Sequence, residues 1–340
     1  MESYNEPLQE PRYIIVVGAS AGGLNALTEL TSQLNPDIDA AIFIVLHLSR
    51  TGISDFLAHR LQQFTSLHCV IAADGGSIHK GHIYIARPNY HLIVKDGKTI
   101  IGRGPTENRW RPSIDVLFRS AAVQYDGRVI GIILTGLMDD GMSGMQAIRR
   151  SGGKCIVQDP NQAEYPDMPL AVLNSMEVDH CAPLQEMGKL ITDITSNKNV
   201  QQTEIPQDLR IEAEISQRVA IGIDVVSNLG EQSVYTCPDC GGGLWRIMNN
   251  STDRYRCYTG HLFSERDLVI KQADQIEGTF WVALRMMEER RNLLIKMEMD
   301  ARQRGFNRIA LEHHSKLKDL EEHITKLKDL LFAVQTNEDM

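Results

Sequence analysis

Gly18-Ala19-Ser20-Ala21-Gly22 fits the pattern G-x-S-x-G, in which small neighbours let a sharp turn lift a serine hydroxyl above the end of a strand. Serine is a poor nucleophile at neutral pH, so chemistry at Ser20 needs a base to take its proton and a carboxylate to orient that base. His47 follows one apolar run, and Asp139 and Asp140 sit in the loop Thr135-Gly136-Leu137-Met138-Asp139-Asp140-Gly141 that follows another. The backbone N–H of Ala21, just after the serine, is the generic donor to an oxyanion. Taken alone, the same glycines also suit a phosphate-binding turn or a plain strand-to-helix turn, and a histidine after a strand is more often structural.

A separate set stands late in the chain. Cys237-Pro238-Asp239-Cys240-Gly241-Gly242 is a C-x-x-C backed by glycines, which directs two thiolates at one point, and Cys257 and His261 complete the four N/S ligands of tetrahedral zinc. A redox C-x-x-C would call for a βαβ context that this stretch lacks. The reading is a structural zinc ribbon whose metal supplies much of the folding energy, with no cofactor needed for catalysis.

Periodicity supplies the elements that must position these groups. Ile14 to Val17 has the branched composition of a buried strand, and Leu24, Leu27, Leu30 and Leu34 are spaced for one helix face, so Ser20 falls between the two. Further buried-strand runs lie at Ala41–Leu46, His68–Ala72, His82–Ala86, Val129–Leu134, Lys154–Val157 and Glu177–Cys181. Helix-like segments at Ser54–Phe64, Ser113–Tyr125 and Gly144–Ser151 separate most of them. This alternation predicts an α/β fold with a doubly wound, mostly parallel sheet. Asp96-Gly97 between two apolar runs predicts an antiparallel hairpin that interrupts the parallel pattern. In such sheets ligands gather at the carboxyl ends of strands, where Ser20, His47 and the Asp139-Asp140 loop all emerge.

At this point the sequence resembles a known family. Ile15-Val16-Val17-Gly18-Ala19-Ser20-Ala21-Gly22-Gly23, Leu46-His47-Leu48, Arg109-Trp110-Arg111-Pro112-Ser113-Ile114-Asp115 and Gly131-Ile132-Ile133-Leu134-Thr135-Gly136-Leu137-Met138-Asp139-Asp140-Gly141 closely match the catalytic domain of CheB, the chemotaxis protein-glutamate methylesterase. The resemblance implies a serine hydrolase that removes methyl esters from glutamates of chemoreceptors and, in many members, deamidates receptor glutamines. Its partner would be a methylated chemoreceptor or a similar methylated sensor protein. Carried over by motif, Ser20 is the nucleophile, His47 the base and Asp140, which precedes Gly141, the orienting carboxylate. The Leu137 N–H becomes a second oxyanion donor, and Arg109, Trp110 and Arg111 line the substrate cleft. The sequence departs from the family's usual Thr at Ala21, His at Trp110 and Gly at Met138. Only about a dozen residues precede the first strand, so gating by a receiver domain in cis is not expected.

Composition bounds the rest. A net charge of −9 argues against nucleic-acid and anionic-membrane partners. No apolar stretch approaches the ~18 residues of a membrane span, and the polar, acidic N-terminus is unlike a signal peptide, so a soluble cytoplasmic protein without membrane insertion is expected. Cys69, Cys155 and Cys181 lie in apolar runs and read as small buried residues. The expected organisation is a catalytic domain at 12–190, a linker at 191–234 with a short helix over Asp208–Val219, the zinc ribbon at 235–263 and an α-helical hairpin or coiled coil at 264–340. There Ser264 reads as an N-cap, Gly305 separates two helices, and Leu317, Leu320, Ile324, Leu327 and Leu331 alternate steps of three and four. The plain reading is an intramolecular hairpin. The alternatives are a homodimer interface or a dock for receptors or a methyltransferase, the last suiting a non-catalytic signalling adaptor.

Overall fold

The structure, a computed structural model, describes residues 10–47, 54–197, 200, 203–217, 223–249 and 252–336. The extreme N-terminus, Leu48 and the last two residues of the helix expected at Asp208–Val219 lie outside them. Every residue of β1 (Tyr13–Ala19) is buried, as its unbroken apolar and small composition requires of a central strand covered on both faces. The chain continues through α1 (Gly23–Ser32), β2 (Ala40–Leu46), α2 (Ser54–Gln62), β3 (His68–Ile71), β4 (His82–Ile85), β5 (His91–Lys95) and β6 (Lys98–Gly102). It returns by α3 (Ile114–Tyr125), β7 (Val129–Ile133), α4 (Met142–Arg150), β8 (Lys154–Gln158), α5 (Asp167–Ser175), β9 (His180–Ala182) and α6 (Leu184–Thr195).

Seven strands form one parallel sheet in the order β3-β4-β2-β1-β7-β8-β9. Successive β1 residues feed two cores. Ile14 and Val16 join Leu117, Phe118 and Ile148 of α3 and α4, while Ile15 and Val17 join Leu27, Leu30 and Ile191 of α1 and α6. The doubly wound α/β expectation therefore holds. The strand order reverses around β1, which puts the switch-point crevice at the carboxyl ends of β2, β1 and β7. The predicted hairpin forms, but β5 and β6 pair with each other as a separate two-stranded sheet, turning at Asp96 (φ 49°) and Gly97 (φ 70°). The last strand falls at His180–Ala182 and not at Glu177–Cys181. On this edge strand the alternation leaves Cys181 exposed, so of the three cysteines read as buried only Cys155 is fully so, Cys69 being intermediate.

Beyond the sheet come α7 (Gln207–Gln217), α8 (Ile223–Ser227) and four strands, β10 (Glu231–Thr236), β11 (Gly243–Asn249), β12 (Thr252–Cys257) and β13 (Leu262–Ser264), which pair in sequence order as an antiparallel sheet. Leu209 of α7 packs into the core beside α3. Two long helices follow, α9 (Glu265–Gln303) and α10 (Asn307–Thr336). The Asp267 N–H donates to Ser264 Oγ at 3.2 Å, the N-cap bond expected of Ser264. The chain divides into two compact units, Met1–Asp267 and Leu268–Met340. Within the second, Leu284 and Leu294 of α9 and Leu320 and Ile324 of α10 are buried against each other, with the partly buried Met287, Leu317 and Leu327 packed beside them, so the seam is covered in part by the chain's own hairpin. Among the described residues no helix is long and apolar enough to cross a membrane.

Candidate active site

Register brings the serine and the histidine together. β1 pairs with β2 through Ala19↔Leu46 and with β7 through Gly18↔Ile133, so Ser20, His47 and Thr135 leave the sheet side by side. The His47 N–H donates to Ala19 O and the Ser20 N–H to Thr135 O, both at 3.0 Å. The chain then turns sharply, with Gly22 at φ 74° as the N-cap of α1. A Cβ on Gly23 would lie 2.6 Å from Leu46 Cδ1, so only glycine lets the helix start this close to the strand ends. The Thr135 hydroxyl donates to Ala21 O at 3.1 Å and braces the turn.

The His47 ring is buried, with Nε2 2.9 Å from Asp140 Oδ2. Its Nδ1 is buried without a hydrogen-bond partner among the described residues. An ionised carboxylate can only accept, so in the neutral imidazole Nε2 carries the proton and Nδ1 the lone pair, the tautomer a general base requires. Trp110 stacks on the imidazole with ring centroids 4.0 Å apart and planes 7° from parallel. The ring is thus clamped by the hydrogen bond to Asp140 at one edge and by an indole on one face.

Asp140 also accepts from Asn108 Nδ2 at 3.0 Å, Ser113 Oγ at 2.9 Å, the Ile114 N–H at 2.7 Å and the Asp115 N–H at 3.3 Å. It therefore caps α3 from outside, where free N–H groups and the helix dipole favour a negative charge. Burial by itself would raise this carboxyl, but the His47 bond and charge, with Asn108 and the Ile114 N–H, hold it below the ordinary aspartate range. Asp115, in the first turn of α3, returns the arrangement by accepting from the Gly141 N–H at 3.0 Å and the Gly144 N–H at 2.6 Å at the start of α4. Burial, added to by the charge of Asp140, pushes Asp115 up to about 7. Asn108 Nδ2 bridges the two, 2.7 Å from Asp115 Oδ2.

The remaining predicted residues fall around this centre. Leu137 is exposed on the loop after β7, and neither its N–H nor that of Ala21 takes a partner among the described residues. Met138 lies at φ 71°, the left-handed region, which explains why glycine suits this position. Asp139 makes no bond to His47, and burial raises its carboxyl. Of the three cleft residues, Trp110 meets the imidazole, Arg109 is exposed, and the half-buried Arg111 donates through Nη1 to Gly104 O at 2.9 Å. Asn108 and Arg109 sit at φ 50° and 68°, two strained residues in succession beside the His47–Asp140 pair.

Sequence reasoning missed a buried charge network under this segment. Glu107, Arg119, Glu212, Arg254 and Arg256 are all nearly inaccessible to solvent. Arg119 pairs with Glu107 and Glu212, Arg254 grips Glu212 through two bonds of 2.8 and 2.9 Å, and Arg256 donates to Glu107 Oε1 at 3.1 Å. The Arg254-Tyr255-Arg256 alternation on β12 was the available signal, since both arginines share one face of a strand. Cys237, Cys240, Cys257 and His261 do converge, their ligand atoms all within 4.8 Å of one another. They lie at the ends of the β10–β13 sheet, away from Ser20 in sequence but joined to the Glu107 segment by the Glu107↔Leu262 bridge.

Fold and site together define the class, a doubly wound α/β protein with Ser20, His47 and Asp140 gathered at the switch point of its sheet. A profile of the CheB methylesterase family matches residues 15–191, and the chain belongs to that family. A Leptospira interrogans protein described provisionally as a protein-glutamate methylesterase/protein-glutamine glutaminase is 35% identical over 184 residues, covering 54% of this chain and 95% of that one. A Myxococcus xanthus protein-glutamate methylesterase/protein-glutamine glutaminase is 36% identical over 182 residues and about twice as long as the match, which covers 52% of each chain. The crystal structure of the Thermotoga maritima CheB methylesterase catalytic domain superposes with a TM-score of 0.52 at 28% identity, over 54% of this chain and 98% of that one. The family match ends before α7.

Proposed function

We propose that this chain is a protein-glutamate methylesterase that also hydrolyses glutamine side-chain amides, acting on methylated chemoreceptors or a similar methylated sensor. Membership of the CheB methylesterase family supports the reaction class. The observation that carries the residue assignment is the His47 ring, fixed through Nε2 by Asp140 with a buried, unpartnered Nδ1 one strand away from Ser20.

In this reading Ser20 Oγ attacks the ester carbonyl while His47 Nδ1 takes the hydroxyl proton. Asp140 holds the imidazole orientation and stabilises the imidazolium that forms. The oxyanion meets the Ala21 and Leu137 N–H groups, the first from the turn just before the N-cap of α1. As the tetrahedral intermediate collapses, His47 returns the proton to the departing methoxide, releasing methanol. Water then attacks the acyl-serine by the same route in reverse and leaves glutamate. A glutamine amide follows the same path with ammonia as the leaving group, which is why one site serves both reactions.

Release of methanol from methylated receptors by the full chain, compared with Ser20→Ala, tests the proposal. The expected result is loss of at least a thousandfold in kcat for Ser20→Ala, with labelling by a fluorophosphonate probe also lost. Methanol release that survives Ser20→Ala would remove the serine from the mechanism. An absence of labelling in the parent chain would favour the adaptor reading.

A further inference from the structure

Two knuckles build the Cys/His cluster. In the first, the Cys237 N–H donates to Gly242 O at 2.7 Å and the Gly241 N–H to Cys237 O at 2.8 Å, with Gly241 at φ 74°. In the second, the Cys257 N–H donates to His261 O at 3.0 Å and the Gly260 N–H to Cys257 O at 2.9 Å, with Gly260 at φ 104°. The cysteines are free thiols, and the ligand atoms stand 3.8 Å (Cys240 Sγ to Cys257 Sγ), 3.7 Å (Cys237 Sγ to His261 Nδ1) and 3.4 Å (Cys257 Sγ to His261 Nδ1) apart. A zinc tetrahedron with Zn–S of about 2.3 Å and Zn–N of about 2.0 Å has edges of roughly 3.5 to 3.8 Å, so the donor set and spacing fit. Thr259 Oγ1 lies 2.9 Å from Cys257 Sγ and 3.2 Å from Cys240 Sγ, within reach to support both thiolates.

Both knuckles grip the segment that runs beside the triad. Asp239, between the first two cysteines, accepts from Thr106 Oγ1 at 3.2 Å. Leu262, next to His261, accepts from the Asn108 N–H at 2.9 Å, and its own N–H points to Thr106 O at 3.4 Å. Arg256, next to Cys257, joins Gly260 O to Glu107 Oε1 at 3.1 Å each. From that segment the Asn108 side chain reaches Asp140 and Asp115, and Trp110 covers His47. Asn108 and Arg109 hold strained backbone that something must enforce.

We infer that Cys237, Cys240, Cys257 and His261 bind one zinc ion, and that this ion acts at a distance on turnover by holding Thr106–Trp110, so that Asn108 and Trp110 are positioning residues for the Asp140–His47 pair. Zinc takes no part in the ester chemistry. The inference rests on the esterase reading only for its kinetic half.

The test uses the full chain. Elemental analysis should find one zinc per chain, and cobalt(II) exchanged into the site should show the intense visible bands of a tetrahedral centre with thiolate charge transfer. Removing zinc with a chelator, or Cys240→Ala, should lower kcat for methanol release at least tenfold with KM little changed, and slow serine labelling to the same degree. Asn108→Ala should reproduce that loss with zinc content unchanged. Hydrogen exchange of the Asn108 amide should quicken on zinc removal while β1 stays protected, a readout independent of turnover and usable if the Cys240→Ala chain does not fold. No metal, another metal at full occupancy, or unchanged Asn108 exchange in the zinc-free chain would each overturn the inference. Zinc-free protein with full kcat and labelling would overturn its kinetic half. If even zinc-loaded protein releases no methanol, the esterase reading fails, and exchange and labelling still judge the metal.

Discussion

Asp140 holds His47 and caps α3 with the same two oxygens, so its substitution cannot be silent in either role. In Asp140→Asn one acceptor becomes an NH2 group that faces either the His47 Nε2 proton together with the Ile114 N–H, at the Oδ2 position, or the Asn108, Ser113 and Asp115 donors, at the Oδ1 position. Turned toward His47, it also favours the tautomer that places the proton on Nδ1. The expected outcome is a loss of about 10³ to 10⁴ in kcat, from the wrong tautomer, together with ~1–3 kcal/mol of stability from the unsatisfied buried donor. Kinetics and urea unfolding of the same preparation check the two parts separately. Ser20, His47 and Asp140 were all named from motif and strand-end position, because a nucleophile turn leaves a local pattern of glycines. Asn108 and Asp115 were not. Their value lies in what they touch, and an asparagine or aspartate near a helix start looks the same whether it meets solvent or a buried carboxylate.

The two helices α3 and α4 trade caps, Asp140 from the loop before α4 serving α3 and Asp115 from α3 serving α4. This arrangement leaves two buried carboxyls bridged by one amide, and it carries a pH signature. Asp115 is raised to about 7 from an ordinary value near 3.8. Between those pH values the folded state keeps a proton that the unfolded chain has lost. Its contribution to stability is full below the unfolded value and is lost as pH rises through about 7. Relative to Asp115→Asn, the parent chain should therefore lose stability steadily from about pH 4 to pH 7. Thermal melts of both proteins across that range measure the difference, and a flat difference curve would show that Asp115 is not titrating there.

Across the molecule, the most demanding feature is the group of three arginines and two glutamates buried between α3, α7 and the β10–β13 sheet. Burial raises Glu212, but Arg254 and Arg119 more than offset this and bring it down to about 2, so its stabilising contribution is present above about pH 4.3 and is lost as pH falls toward 2. In Glu212→Gln the network loses the carboxylate that Arg254 grips through two bonds. Removing one partner of such a network costs about 3–5 kcal/mol, because the other charges stay buried without compensation. A lowered melting temperature with loss of protection in β12 is the expected result; the same change restricted to α7 would mean that Arg254 finds another partner.

By itself the sequence determined the parallel sheet, the turn at Ser20, the hairpin at Asp96-Gly97, the long C-terminal helices and the convergence of the four Cys/His residues. Each follows from short-range rules: apolar period, a glycine where φ is positive, or ligand spacing within a knuckle. It started the last strand three residues early and ended it one residue early, because only pairing with β8 selects His180–Ala182. Strand-end position left Asp139 and Asp140 open and the family motif selected Asp140; only the tertiary structure gives the physical reason, which is where α3 presents its free N–H groups. Tertiary structure also decided that Arg256 answers Glu107 from 149 positions away, a pairing that offsets the cost of withdrawing both charges from water.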